Sequence, residues 1–502
     1  MSTEPQSGNA SSDDDLPSLS SPPAGPRLDR ALRAVPPAVA ALGLGTLVLT
    51  IAARVATPWP LEWMEGAIVH HALRLSQLQP LYLAPSAEFV PYLYPPLGYL
   101  PMALAAPVFG SSLPAARIAC LLCTVAALIG IARIGARAGG TRTAGMLGAG
   151  LFALGYGYGG AFMDIARIDL PFIALVVWGA ERIDAGRERS GLWLLALSAL
   201  AKQHGLVLFA AAALAMLIRD RTRSLSPVLW PASTLLLVGQ LLQWSSGGWF
   251  GFYTFELPAR HGVIPPLLLS FLLVDLLVLV PVLTIGAVIW LWRRRAVASP
   301  PVLLLLAALL VSALGRAHAG GHDNVRLPAL ALLCAWGIGP VLRALLDRER
   351  SRRARLAALV LVAIQCAILW QPPSSHAPRA AHAARFGQLR AELIRCAAGG
   401  RAVAFDHALL TPTPFVHTMA LSDLSGGGSD AVGERAVEVL LAVLSGPDAP
   451  AAIAIGARFP ALEAVVAERY EPCGRVQAPP MPTGYQPKSQ ELFVRKRLHA
   501  PP

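Results

Sequence analysis

Leu61-Glu62-Trp63-Met64-Glu65-Gly66 follows the first long apolar run of the chain. It leads into the periodic run Ala67 to Leu78, then Pro80-Leu81-Tyr82 and Tyr92-Leu93-Tyr94-Pro95-Pro96-Leu97. Carboxylates tethered to the end of a hydrophobic span fall where water meets lipid. Acid, amphipathic helix and Tyr-Pro-Pro turn, in that order, read as a reaction site and not as a passive connection. The question is what surrounds it.

What surrounds it is mostly membrane. Hydrophobic residues make up 55% of the 502, charged residues 14%, and the mean hydropathy is +0.53. A span needs about 20 largely apolar residues, because the hydrocarbon core is about 30 Å thick. Runs of that length recur from residue 35 to 370, so the chain reads as a polytopic, mainly α-helical bundle of about 9–11 spans. The net charge of +12 would point to nucleic acid in a soluble chain. Here the Arg and Lys clusters flank the apolar runs and act as topology signals, and no basic face with interleaved aromatics appears. No nucleic-acid partner is expected; the lipid bilayer is.

Residues 1–28, rich in Ser, Pro, Gly and Asp, read as a disordered tail without the basic start of a cleaved signal peptide. The membrane unit is expected over 29–371, with external loops at 54–112 and 163–169. Arg27, Arg30 and Arg33 precede a first span at about 35–53, which puts the N-terminus in the cytoplasm and Glu62 and Glu65 outside. The Pro-interrupted segment 95–109 is read as juxtamembrane. Spans at about 115–133, 143–162 and 170–181 follow. The run 191–218 is broken by Lys202-Gln203-His204-Gly205 and has basic clusters at both ends, so it reads as a hairpin with Lys202, Gln203 and His204 at its outer apex. Ionisable residues at bilayer depth are expensive and mark functional sites. Spans at about 227–244, 266–292, 301–315, 326–346 and 356–370 complete the bundle. This topology gives a multi-pass protein of a bacterial plasma membrane.

Residues 372–502 read as a small extracytoplasmic α/β domain. Helices are expected over Arg385 to Cys396, Ala431 to Leu444 and Pro460 to Arg469. Strands are expected over Ala402 to Phe405, Ala451 to Ile455 and Leu492 to Val494. Cys396 and Cys473 lie here, where a disulfide is chemically permitted; Cys120, Cys123, Cys334 and Cys366 lie in spans.

Glu62 and Glu65 share a face if their stretch is helical. Desolvation at an apolar boundary raises a carboxyl pKa, which suits a general base. Asp164, Arg167 and Asp169 form a second external cluster, readable as a substrate-orienting site or as a helix-end ion pair. External Lys202, His204, Arg260, His261, Arg316, His318, His322 and Arg326 offer cations for a lipid phosphate. Gly320-Gly321-His322-Asp323-Asn324 opens a span, as an anion-binding start or as a simple N-cap. His70-His71 read as a wet helix face. Glu65, Asp164 and Asp169 are compatible with a divalent cation without requiring one. There is no Walker loop or H-E-x-x-H motif, and the Cys120-Leu121-Leu122-Cys123 spacing lies inside an apolar run.

The motifs Trp63-Met64-Glu65-Gly66, Ala72-Leu73-Arg74-Leu75, Pro80-Leu81-Tyr82 and Tyr94-Pro95-Pro96-Leu97 resemble the first external loop of GT-C membrane glycosyltransferases. The chain is most similar to the bacterial branch related to protein mannosyltransferases and aminoarabinose lipid A transferases. Asp164 with Arg167-Ile168-Asp169 falls at the family's second acidic position, and Ala201-Lys202-Gln203 at its polar helix break. The resemblance covers about residues 35 to 350. It implies inverting transfer from a polyprenyl-phosphate sugar to an external glycan, lipid or protein acceptor. Glu65 would be the base, Asp164 a second catalytic carboxylate, and Glu62, Tyr94, Arg167, Asp169, Lys202, Gln203, His204, Arg260, His261, Arg316, His322 and Asp323 substrate contacts. A flippase for a lipid-linked sugar explains the broken hairpin equally well. It does not explain the external carboxylates or the outer domain, and a non-catalytic envelope assembly protein is the third alternative. The face assignment has a direct check. A cysteine at Ser246 should react with an impermeant thiol reagent in intact cells and one at Ser190 should not, and labelling at Ser190 would overturn the hairpin.

Overall fold

Apolar length and helix breakers divide the chain into the elements of the computed structural model. It describes residues 26–86, 89–110, 112–294, 298–404, 438, 441–456, 460–483, 486 and 488–496. Helix α1 (Pro26–Arg54) starts on a proline, which sacrifices no helical hydrogen bond, and carries the first span. It begins inside the expected tail, whose residues 1–25 lie outside the described ones. The connection that follows α1 holds α2 (Glu65–Ser76), a 3-10 turn at Pro96–Gly98 and α3 (Leu100–Phe109). Then come α4 (Leu113–Gly139), α5 (Arg142–Leu154), α6 (Asp169–Asp184), α7 (Glu188–Ala201), α8 (Gly205–Arg219) and α9 (Arg221–Ser245).

The remaining bundle is formed by the bent pair Pro265–Leu276 and Pro281–Arg294, then Pro300–Ala317, Asp323–Leu346 and Arg352–Leu369. Six of the described helices are long and apolar enough to cross a membrane, or seven if the bent pair counts as one span. Helices α5 to α8 are shorter. The protein is a multi-pass membrane protein with a helical core.

Two expectations need correction, and a third holds. The run 266–292 is not one straight span: the chain turns by 91° between Leu276 and Pro281, where Pro281 cannot donate a helical hydrogen bond to the preceding turn. The run 143–162 is helical only to Leu154; beyond it an irregular, buried connector leads to α6. The hairpin 191–218 breaks where expected, at Lys202-Gln203-His204. Gly205 is required there, because a Cβ would lie 2.3 Å from the Ala199 nitrogen.

The outer domain builds a four-stranded sheet in the order β1-β2-β4-β3, from β1 (Ala402–Ala404), β2 (Ala452–Ile455), β3 (Tyr470–Val476) and β4 (Gln490–Arg495). The first pair is parallel and the other two are antiparallel. Helix Ala380–Ala397 buries Phe386, Leu389 and Leu393 against it. Strand β3 was not anticipated, because Pro472 and Gly474 interrupt it and the register shifts between them. Of the expected helix over Ala431 to Leu444, most lies outside the described residues, and residues 441–445 are helical.

The domain docks on the first external loop. Trp59 stacks on Phe386 with ring centroids 5.4 Å apart, and the His382 ring bonds the Pro60 carbonyl. Thr483 Oγ1 donates to the Leu61 carbonyl at 2.9 Å. Cys396 and Cys473 are joined, with Cα atoms 6.1 Å apart across a sequence separation of 77. In the chain-entropy model a loop of that length contributes about 4–5 kcal/mol. A non-reducing peptide map should return the two cysteines linked, and reduction should lower the unfolding temperature of the outer domain. Two free thiols in the mature protein would reject the pairing.

Candidate active site

Glu62, Glu65, Asp164, Arg167 and Asp169 in the loops before α4 and before α6 are buried, and each has an ionic partner. A carboxylate removed from water costs several kcal/mol unless paired and hydrogen-bonded, so the pairing defines the geometry. Glu65, fully buried, is clamped by Arg117 of α4: Nε donates to Oε1 at 2.9 Å and Nη2 to Oε2 at 2.7 Å. The Ala166 N–H adds a bond to Oε1 and the Leu61 N–H one to Oε2. Arg117 spends its remaining donors on the carbonyls of Arg54, Thr57 and Trp59. This corrects an expectation. Burial acts to raise the Glu65 pKa, but Arg117 and the two backbone donors outweigh it and hold the carboxylate below its ordinary range.

Asp164 is taken in the same way. Arg54 at the end of α1 donates to Oδ2 at 2.8 Å, and the Tyr156 hydroxyl donates to Oδ1 at 2.7 Å. Glu65 and Asp164 thus each carry a saturated partner set, and they do not converge with Asp169 as ligands. Among the described residues no group of three acidic, His or Cys side chains is placed to hold a metal ion.

Glu62 differs. It is 1% exposed, and both bonds it accepts, from Arg167 Nη1 and the Met64 N–H at 3.0 Å each, fall on Oε2. Among the described residues Oε1 accepts none. Burial pushes its pKa up to about 7, and Arg167 and the Met64 N–H offset this only in part. That is the value of a base poised near neutrality.

The Arg167 guanidinium connects Glu62 to the rest of the site. Its Nη2 donates to the Tyr94 hydroxyl at 3.2 Å, and its Nε lies 3.7 Å from Asp169 Oδ2. Asp169 Oδ1 accepts from Lys202 Nζ at 2.7 Å and from Asn324 at 3.0 Å. Lys202 is therefore held by Asp169, not by Asp164. A lysine has three donors, and Asp169 uses one. Beside it, Gln203 ties the hairpin apex to the carbonyls of Leu93 and Thr254. Gly98 lets the Pro-Pro-Leu turn lie against the same apex, since a Cβ there would meet the Ala201 carbonyl at 2.7 Å.

The other expected residues form an outer ring. The rings of His261 and His318 lie 4.9 Å apart, His318 bonds the Pro258 carbonyl, and Arg260 stacks over Phe252. Arg316 pairs with Asp275 at 3.2 Å and Asp323 at 3.6 Å, and Arg326 binds the same two carboxylates. His322 and Asp323 line a cavity together with Thr483 and Gln486 of the C-terminal domain. His71 is not on a wet face: it is buried, bonded to the Ala67 carbonyl and the Tyr92 N–H, and stacked on Tyr92 and Tyr99. Burial lowers its pKa to about 3, so it is a neutral packing element.

Sequence reasoning missed Arg54, Arg117, Tyr156 and Asp275, and it read Asn324 as a helix start and not as a partner of Asp169. Arg117 and Asp275 interrupt otherwise apolar runs, and that isolation was a signal in itself.

No family model matches the chain, and no curated protein does. Solved structures do match. ArnT from Cupriavidus metallidurans in the apo state aligns over 90% of this chain and 97% of its own, with TM-score 0.56 and 12% identity. The archaeal oligosaccharyltransferase AglB from Archaeoglobus fulgidus, in complex with an inhibitory peptide and a dolichol-phosphate, aligns over 85% and 69%, with TM-score 0.51 and 11% identity. At such identities the likeness is one of fold. The chain shares their GT-C-type fold: a polytopic bundle with a small C-terminal α/β domain.

The clamp can be tested without a substrate. Breaking a buried pair strands a charge at a cost of about 3–5 kcal/mol. Glu65→Gln should lose that much stability in detergent unfolding, and Glu65→Gln with Arg117→Met should lose less than the two single changes summed. The Glu65 contribution, coming from a lowered pKa, is present above the ordinary glutamate range and lost as pH falls through the folded value. Additive losses would show that the pair is not a unit.

Proposed function

We propose that the chain is a membrane glycosyltransferase that moves a sugar from a polyprenyl phosphate to an extracytoplasmic acceptor, with inversion, and that Glu62 is its general base. Residues 29–371 serve as the catalytic unit and 372–502 as an external domain docked on it, with the cytoplasm on the N-terminal side. The observation that carries this reading is Glu62 itself. It is a buried carboxylate with one oxygen unengaged and a pKa near 7, in one ionic network with a lysine at bilayer depth. The GT-C-type fold supports it, and the donor is proposed from the two structural neighbours and from the lysine.

In this mechanism the acceptor hydroxyl oxygen bonds to the anomeric carbon as the bond from that carbon to the phosphate oxygen breaks. The phosphate leaves with the bonding electron pair, and Glu62 Oε1 takes the hydroxyl proton. Attack from the face opposite the leaving group inverts the carbon. Lys202, through the donors that Asp169 does not use, and His204 beside it meet the leaving phosphate, whose negative charge grows in the transition state. Arg260 extends the positive charge, and His261, whose pKa burial lowers, adds a neutral imidazole. Arg167 holds Glu62 in place, with Tyr94 and Asp169 fixing the guanidinium. Glu65 and Asp164, proposed from sequence as catalytic, become the clamps that hold the two external loops in register.

Purified protein with a labelled polyprenyl-phosphate sugar tests this. Glu62→Gln should lower transfer by about 10²–10⁴-fold while the protein remains folded, because Arg167 keeps Asp169. For the wild type, kcat/KM should fall as pH drops below about 7, where Glu62 takes up a proton. Substantial activity in Glu62→Gln, or a rate flat from pH 8 to pH 5 (roughly one unit above and two below that pKa), would remove Glu62 from the role.

A further inference from the structure

The junction between the bundle and the outer domain encloses a cavity of about 300 Å³, the lower end of the small-molecule range of about 300–1,000 Å³. One wall is Phe162 from the connector before α6, with Arg316, His322 and Asp323 from the loop between Pro300–Ala317 and Asp323–Leu346. His376 of the interdomain linker and Gln486 of the outer domain close it. We propose that this cavity is the acceptor subsite and that it takes one ring of a saccharide. The inference rests on the transfer reading and names its acceptor class.

Position is the first argument. Arg167, which holds Glu62, lies over the Phe162 ring at 5.5 Å. From the other side, Thr483 fastens the outer domain to the carbonyl of Leu61, the residue before Glu62. A group seated in the cavity therefore sits next to the proposed base, and the outer domain supplies part of its walls.

Charge is the second argument, and it decides between ligand classes. Arg316 is the cavity's cation, and two carboxylates already hold it, Asp275 at 3.2 Å and Asp323 at 3.6 Å. Asp323 itself is 44% exposed. Arg326 pairs with the same two carboxylates, so a phosphate would meet no net positive charge there and the exposed side of Asp323. An acyl chain would meet polar walls.

The unengaged groups suit hydroxyls. The His376 Nε2 is buried with no hydrogen-bond partner, and among the described residues the His322 ring makes no hydrogen bond. Burial lowers the pKa of both imidazoles, to about 4 for His376. Each is thus neutral at pH 7, able to donate one hydrogen bond and accept another. With the Asp323 carboxylate and the Phe162 face, these groups match a ring that carries several neighbouring hydroxyls.

The test uses the full chain in detergent and saturation-transfer NMR. The probes are the methyl α-glycosides of glucose, mannose and galactose, a serine-containing peptide, and inorganic phosphate followed by phosphorus line width. At least one glycoside should receive saturation, and the signal should be lost in His322→Phe and in His376→Phe, which fill the cavity and delete its donors. Thermal unfolding and the Cys396–Cys473 link verify that both variants fold. The assignment is overturned by no glycoside signal in the wild type, by a preference for phosphate or peptide, or by a glycoside signal that survives in both folded variants. Donor turnover is scored separately. Turnover without glycoside binding rejects the subsite and leaves the transfer reading standing. Glycoside binding without turnover rejects the transfer reading and the acceptor role with it.

Discussion

The bidentate contact between Glu65 and Arg117 is the constraint on which the outer face depends. Both side chains are wholly buried, so neither charge can be relieved by water, and each must be satisfied by protein. Glu65 does this with donors from Arg117, Leu61 and Ala166, and Arg117 with the carbonyls of Arg54, Thr57 and Trp59. The first external loop, α4 and the second external loop are thereby fixed to one point. The Arg54–Asp164 pair repeats the arrangement between α1 and the second loop. A buried ion pair is weak evidence for net stability, because desolvation offsets its attraction. Its value here is geometric: any displacement of a loop would leave a charge unpaired.

That rigidity allows Glu62 to remain incompletely satisfied. It lies three residues from Glu65, and burial raises the pKa of both, yet their partners leave Glu62 above and Glu65 below the ordinary range. Glu65 has a guanidinium fork and two backbone N–H groups. Glu62 shares Arg167 with Asp169 and receives its bonds on one oxygen. Two titratable groups whose surroundings drive their pKa values apart are the usual mark of divided roles. In this account one carboxylate holds the loops and the other is left to react. The lysine at the hairpin apex follows the same logic, with Asp169 bearing the cost of its burial while some of its donors stay open.

The fold was legible in the sequence wherever apolar length and breakers acted locally. The ends of most spans, the break at Lys202-Gln203-His204 and three of the four outer strands follow from such patterns. The 91° bend before Pro281 was not read, because an apolar run says nothing about its own direction. Strand β3 was hidden by Pro472 and Gly474, which its irregular register accommodates. At the site, the reactive loops and most of their charged residues were legible from charge at a membrane boundary. Partner choice was not. Arg117 and Arg54 lie 52 and 110 residues from the carboxylates they hold, and only the packing of α1, α4 and the loops brings them there. The proposed exchange of roles between Glu62 and Glu65 rests on those distant partners. His71 shows the same limit: its stacking partners come from the far side of the loop.

The most direct test of the account is a structure of the full chain with a non-cleavable phosphonate analogue of a polyprenyl-phosphate sugar. The account predicts the phosphonate against Lys202 and His204. It places the anomeric carbon facing Glu62 Oε1 across a gap that admits one acceptor oxygen, about 3–3.5 Å from that carbon in a reactive geometry. A phosphonate seated at Arg316, or an anomeric carbon turned away from Glu62, would contradict it.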